Sequence, residues 1–139
     1  MIVDDDASIR QLLATLVRRE HLAVDSAIDG EDAIRKLQEH AYSVVLLDLM
    51  MPHVDGFGVI EYLKQHPQAS KPVVLVITAY ADQKFKRVDP DIVAGVIRKP
   101  FEIADLGGLV RLCALGLDDQ FAERVGRPVS DTSADESVN

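Results

Sequence analysis

The sequence is poor in cysteine, in long apolar runs and in positive charge, and each shortage excludes a class of protein. A single cysteine, Cys113, leaves no partner for an internal disulfide and too few thiols for a cysteine-based zinc site. No apolar run approaches the roughly 18 residues that span a bilayer. The net charge of −8 argues against non-specific binding to nucleic acid or to acidic membranes. The start of the chain, Met1 to Asp6, lacks the basic and apolar regions of a signal peptide. We therefore expect a soluble, cytoplasmic protein.

The composition that remains is that of one globular domain followed by a tail. The chain has 139 residues, of which 47% are hydrophobic, and this is enough for a buried core. Residues 118–139 carry six acids and two bases, and from Gly126 onward the chain has almost no apolar content. Such a segment cannot bury enough apolar surface to offset the entropy lost on ordering. We predict a folded domain over residues 1–117 and an acidic, disordered tail over residues 118–139 that is dispensable for stability.

The body of the chain alternates helical and extended patterns. Apolar residues recur at helical spacing in four segments: Ile9–Val17, Ala33–Leu37, Val59–Leu63 and Ile103–Cys113. Between them lie five short apolar runs that predict strands: Ile2–Val3, Leu22–Val24, Val44–Leu47, Val73–Ile77 and Val96–Ile97. Residues 81–94 are less regular, because a helical pattern there meets Pro90. The alternation predicts an α/β fold with a five-stranded parallel sheet, doubly wound by helices.

Side chains that carry chemistry follow four of the predicted strands. Three acids, Asp4 to Asp6, follow the first strand, Asp48 follows the third, Thr78 ends the fourth and Lys99 follows the fifth. The carboxyl ends of parallel strands meet at one edge of a sheet, where ligands gather. Crowded carboxylates resist joint ionisation unless a cation lies between them, and Mg²⁺ suits an all-oxygen, partly hydrated site. An aspartate beside Mg²⁺ can attack a phosphoryl group, and a lysine neutralises further charge. Asp6 is expected to have no part in the metal site, and either Asp6 or Ser8 is the predicted N-cap of the first helix.

Five short motifs follow the predicted strands in register. They are Val3-Asp4-Asp5, Leu47-Asp48-Leu49-Met50-Met51-Pro52, Asp55-Gly56, Thr78-Ala79 and Lys99-Pro100-Phe101. In order and spacing, over about residues 1–117, the chain resembles the receiver domain of two-component response regulators. The resemblance implies a flavodoxin-like fold of the receiver type.

The resemblance also implies a metal site for Mg²⁺. Asp48 is similar to the family's phosphoacceptor and Asp5 to its metal-ligating acid. Asp4 matches the neighbouring acid that mainly holds metal-bound water. Met50 matches the position that offers its backbone carbonyl to the metal, so its side chain is not expected to be a ligand.

Two further residues match the family's phosphate-sensing positions. Thr78 resembles the switch hydroxyl. Lys99 resembles the lysine that pairs with the phosphoacceptor at rest and with the phosphate afterwards. The Lys99–Pro100 peptide bond is typically cis in the family.

The resemblance implies a signalling module rather than an enzyme. Such a receiver accepts a phosphoryl group from a histidine kinase or phosphotransfer protein onto Asp48, and it catalyses only its own transfer and a slow self-dephosphorylation. Output is expected through protein–protein contact, since residues 118–139 leave no room for a DNA-binding or enzymatic output unit. The receiver is expected to be a monomer or a weak homodimer and to bind neither nucleic acid nor a membrane.

Three alternatives stay open within signalling: a phosphorelay intermediate, a degenerate receiver, or a receiver cut from a larger protein. The alternative outside signalling is a Mg²⁺-dependent aspartyl phosphohydrolase of the haloacid-dehalogenase type, although Met50 stands where that family needs a second aspartate.

One position departs from the family pattern and predicts an atypical switch. An aromatic residue usually lies three positions before the lysine, and this chain has Val96 there. A valine is stiff about χ1 and cannot fill or vacate a ring-sized pocket. We therefore expect phosphorylation to shift or order segment 80–95 rather than to flip a ring, with Tyr80 as a possible substitute. The downstream partner is expected on segment 80–117, which carries Phe85 and the basic side chains of Lys84, Lys86 and Arg87.

Overall fold

The computed structural model describes residues 1–51, 53–67, 71–79, 88–99 and 103–114, and these ranges contain five strands and four helices. The strands are β1 (Ile2–Val3), β2 (Ser26–Ala27), β3 (Val44–Leu47), β4 (Val73–Thr78) and β5 (Val93–Arg98). The helices are α1 (Ala7–Arg19), α2 (Gly30–Glu39), α3 (Gly56–Gln65) and α4 (Ile103–Ala114). The predicted tail at 118–139 lies outside the described ranges, and so do residues 80–87, 100–102 and 115–117 of the predicted partner surface.

The five strands form one sheet, in the order β2-β1-β3-β4-β5, and every neighbouring pair is parallel. This order, with the first strand inside the sheet, is that of the flavodoxin-like doubly wound folds, and it confirms the predicted fold class. β1 and β3 are neighbours, with Val3 in register with Leu47. The residues that follow these two strands therefore leave the sheet side by side.

The alternation of side chains along the strands divides the core between the two faces of the sheet. On one face, residues such as Ile2, Leu46 and Leu75 pack with α1 and α4. On the other face, their chain neighbours Val3 and Val45 pack with α2 and α3. Both faces are covered, which explains why Val44–Leu47 in β3 and Val73–Ile77 in β4 are continuously apolar.

Three of the four described helices, α1, α2 and α3, begin at aspartate caps. Asp6, Asp29 and Asp55 each accept a backbone N–H of the first turn, at the starts of α1, α2 and α3. Such caps are worth about 1 kcal/mol each. Of the two candidates that the sequence offered for the cap of α1, Asp6 and Ser8, the structure has Asp6. None of the helices in the described ranges is long and apolar enough to cross a membrane.

Two strand predictions differ from the structure. The second strand was expected at Leu22–Val24, and this is wrong: β2 is Ser26–Ala27, where the register with Ile2 and Val3 places it at the edge of the sheet. Leu22 and Val24 are apolar because they pack, partly buried, against the core on the α1 face. β5 is longer than the predicted Val96–Ile97 core, because the turn that contains Pro90 ends early enough for pairing to begin at Val93.

Candidate functional site

Three acids meet at the carboxyl edge of the sheet. The backbone N–H of Asp48 donates to the carbonyl of Val3 at 3.0 Å, so the end of β3 is tied to the end of β1. One carboxylate oxygen each from Asp4, Asp5 and Asp48 lies within 4.8 Å of the others. The structure thus brings together the carboxylates of Asp4 and Asp5, which follow β1, and that of Asp48, which follows β3.

The acids differ in burial, and this sets their electrostatics. Asp4 and Asp48 are only 2% and 7% exposed, whereas Asp5 is exposed. Burial, and then the nearby charge of Asp4, raise the pKa of Asp48 from 3.8 to about 6. The ammonium of Lys99 and the N–H of Met50 favour the charged carboxylate but offset this rise only in part. A cation bound between these acids would favour the ionised form of Asp48 and so offset the rise of its pKa.

The lysine at the end of β5 reaches into the cluster. Its Nζ lies 3.2 Å from Oδ2 of Asp4 and 3.8 Å from Oδ2 of Asp48. The resemblance implied a resting pair with Asp48, and in the structure Lys99 is nearer to Asp4. The backbone N–H of Lys99 donates to the carbonyl of Thr78 at 3.0 Å, which fixes the lysine beside the end of β4.

Met50 contacts Asp48 directly, and Thr78 ends β4, the strand beside β3. The N–H of Met50 donates to Oδ1 of Asp48 at 3.2 Å, while the Met50 residue is 45% exposed. Thr78 is completely buried at the end of β4. Of the family motifs, Pro52 and Pro100-Phe101 lie outside the described ranges.

Val96 occupies the position where the family usually has an aromatic residue. It is half-buried, pairs with Val76 of β4 and packs against the core on the α2 and α3 face. No ring is therefore present at this position to follow Thr78.

The loop after Asp48 folds back closely onto the start of α3. The N–H of Gly56 donates to the carbonyl of Leu49 at 3.1 Å. A Cβ on Gly56 would lie 2.4 Å from the carbonyl oxygen of Asp48 and 2.6 Å from Cα of Leu49. Only glycine fits at this point, so Gly56 keeps the Asp48 loop in its observed position.

Gly56→Ala is expected to destabilise the protein by about 1–3 kcal/mol, because the new methyl group meets rigid backbone. Gly108→Ala in α4 is the matched control, since its added Cβ meets no atom within 4 Å among the described residues, apart from its chain neighbours and the backbone of its own helix. The control should stabilise the protein by about 0.5–1 kcal/mol through helix propensity. Urea unfolding of both variants measures the difference, and equal effects of the two would contradict the close approach.

Arg10 is a contact of the site that the sequence did not reveal. Its Nη1 donates to the backbone carbonyl of Asp4 at 2.8 Å. A backbone carbonyl has no sequence signature, so no spacing of residue types could have indicated this pair.

A cavity of about 470 Å³ opens at the opposite, amino-terminal edge of the sheet. Apolar side chains such as Val17, Leu46 and Val110 line much of it. The cluster of acids that could hold a metal ion, found among the described residues, lies at the other edge. The candidate site is therefore identified by its clustered acids and lysine, and not by the size of a cavity.

Comparisons with known proteins agree with this geometry. The family model described as response regulator receiver domain matches residues 1–111. The transcriptional regulatory protein ResD of Bacillus subtilis is 40% identical over 83 residues, which are 60% of this chain and 33% of ResD. The response regulator ArlR of Staphylococcus aureus is 33% identical over 112 residues, which are 80% of this chain and 50% of ArlR. The chain thus spans half or less of the length of these curated relatives.

A solved structure shows the same likeness in three dimensions. The response regulator protein TrrA of Thermotoga maritima, solved in complex with Mg²⁺-BeF, matches with a TM-score of 0.70 at 26% identity. The match covers 81% of this chain and 95% of TrrA.

Proposed function

Because the chain belongs to the response regulator receiver domain family, we propose that it is a phosphorylation-switched receiver with Asp48 as its phosphoacceptor. The observation that carries the proposal is a buried acid, Asp48, grouped with two further acids and Lys99 at the carboxyl edge of the sheet. Receiver domains of response regulators interact with histidine kinases, so a histidine kinase or phosphotransfer protein is the proposed donor. The proposed receiver domain extends over residues 1–117, with output through protein contact.

The donor set fits Mg²⁺ as the proposed cofactor. Asp4, Asp5 and Asp48 offer only oxygen ligands, and Mg²⁺ prefers oxygen. The carbonyl of Met50 is the fourth proposed protein contact. TrrA, which was solved with Mg²⁺-BeF, supports the assignment. When bound, Mg²⁺ neutralises charge on the transferring phosphoryl group.

The chain's own residues have distinct proposed roles in the transfer. A carboxylate oxygen of Asp48 forms the new bond to phosphorus while the bond from phosphorus to the donor histidine nitrogen breaks, and the electron pair stays on that nitrogen. Lys99, now 3.2 Å from Asp4, would move to the incoming phosphoryl oxygens, whose charge is greater. The hydroxyl of Thr78 would donate to another phosphoryl oxygen.

Incubation with acetyl phosphate and Mg²⁺ tests the function. We expect one phosphoryl group per chain by intact mass, with release of about one equivalent of acetate in an initial burst. The product should be an acyl phosphate, stable in acid and labile in base. Sustained turnover of p-nitrophenyl phosphate would instead favour the phosphohydrolase.

The atypical switch is tested by hydrogen exchange with and without beryllofluoride. Protection is expected to rise in the Asp48 loop and to change over residues 80–98, because Thr78 and Lys99 sense the phosphoryl group without an aromatic ring. Thr78→Ala should keep the first effect and lose the second. Protection of the Asp48 loop alone in the parent protein would mean a degenerate receiver.

A further inference from the structure

The loop between β1 and α1 carries two of the three clustered acids, and Asp4 is held there by several contacts. Its N–H donates to the carbonyl of Ala27 at 3.2 Å. Its carboxylate accepts the N–H of Asp6 at 2.9 Å on one oxygen and Lys99 at 3.2 Å on the other. These contacts fix the side chain of Asp4 on the sheet.

Asp5 has no such support. It is exposed, and within the described ranges its carboxylate makes no hydrogen bond or ion pair. Its direction therefore depends on the backbone on either side of it. The peptide unit before Asp5 is planar and includes the carbonyl of Asp4, so a contact that fixes this carbonyl also restricts where Asp5 can point.

Arg10 makes that contact from the first turn of α1. Its guanidinium Nη1 lies 2.8 Å from the carbonyl oxygen of Asp4, and its backbone N–H donates to the carbonyl of Asp6 at 3.0 Å. One residue thus holds the loop on both sides of Asp5. The side chain is half-buried, so the hydrogen bond is partly shielded from water.

We propose that Arg10 is a positioning residue that aims Asp5 at the metal site through the Asp4 carbonyl. This inference rests on the proposed function, because it needs Mg²⁺ to bind among these acids. Loss of a residue that holds a metal ligand in place, without contacting the metal itself, typically weakens metal binding by roughly 10–100-fold.

A positioning role and a purely electrostatic role of Arg10 predict opposite changes in Mg²⁺ affinity for the same substitution. Arg10→Met removes a positive charge near an acidic cluster, so charge alone predicts tighter Mg²⁺ binding. Loss of positioning predicts weaker binding. The sign of the change therefore separates the two roles.

The test is Mg²⁺ titration followed by the amide NMR signals of residues 4–6 and 48–50. Arg10→Met should bind roughly tenfold more weakly, and Arg10→Lys, which keeps a donor and the charge, should recover most of the affinity. Arg18→Met, an exposed arginine further along α1, is the matched charge control and should bind as tightly as the parent or slightly more tightly. In metal-free protein, Arg10→Met should also shift the Asp5 amide signal and leave those of α2 and α3 in place.

Equal or tighter binding by Arg10→Met, with the parent binding normally, would overturn this inference and leave the proposed function intact. Absence of any Mg²⁺-dependent shift in the parent would instead overturn the proposed metal site, and this inference with it.

Discussion

Asp48→Asn is expected to abolish phosphoryl labelling by acetyl phosphate and to make the metal-free protein more stable. Labelling is lost because an amide is not a nucleophile toward phosphorus, and we expect a drop of at least 100-fold in incorporated phosphate. A gain in stability at the same time would show that the variant is folded and that only the chemistry is lost.

The sign of the stability change follows from the pKa of Asp48. Burial and the charge of Asp4 raise this pKa from 3.8 to about 6 in the folded protein. Between pH 3.8 and about pH 6, Asp48 is ionised in the unfolded chain but still protonated in the folded protein, so the unfolding free energy falls as pH rises through this range. Above about pH 6 the unfolding free energy keeps the whole of this decrease. Asparagine does not titrate, and it can still accept the N–H of Met50.

At pH 7 without Mg²⁺, Asp48→Asn should therefore exceed the parent in unfolding free energy by no more than about 3 kcal/mol. Below pH 4 the difference should vanish. Urea unfolding at both pH values measures it, with Asp91→Asn as the control, since Asp91 is exposed and precedes β5 at the opposite edge of the sheet. Label that persists on the asparagine variant would mean another acceptor residue.

Asp5→Asn is expected to weaken Mg²⁺ binding by at least roughly tenfold, because the proposed metal site loses one of its charged oxygens. In the parent, affinity should also fall as pH drops below about 6, where Asp48 takes up a proton that competes with the metal. The change of amide shifts with added Mg²⁺ at pH 7.5 and pH 5 gives both effects.

Asp91→Asn again makes the same change of charge at the other edge of the sheet, and it should leave Mg²⁺ affinity unchanged. Equal weakening by the two variants would mean that general acidity, and not this cluster, attracts the metal. Unaltered binding by Asp5→Asn would remove Asp5 from the site.

Most of the fold could be predicted from the pattern of apolar residues. The continuous runs Val44–Leu47 and Val73–Ile77 lie in strands covered on both faces, and the helical spacings match the four described helices. The exception is instructive. At the sheet edge, Leu22–Val24 is more apolar than the true strand Ser26–Ala27, because it packs against the α1 face without pairing. Hydrophobicity reports burial, and only the backbone register reports pairing.

The sequence by itself determined which residues lie at the carboxyl edge of the sheet, because parallel strands bring the residues that follow them to one edge whatever the details of packing. This rule alone places Asp4, Asp5, Asp48, Thr78 and Lys99 at the same edge of the sheet. It also determined that position 96 carries no aromatic ring.

Only the tertiary structure decided how these groups interact. The raised pKa of Asp48 depends on its burial and on the distance to Asp4, and the preference of Lys99 for Asp4 depends on a contact between residues 95 positions apart. The hydrogen bond from Arg10 is accepted by the backbone carbonyl of Asp4, a group that every residue carries. Distance, desolvation and backbone direction arise from packing in three dimensions, so residue types and spacing alone could not supply them.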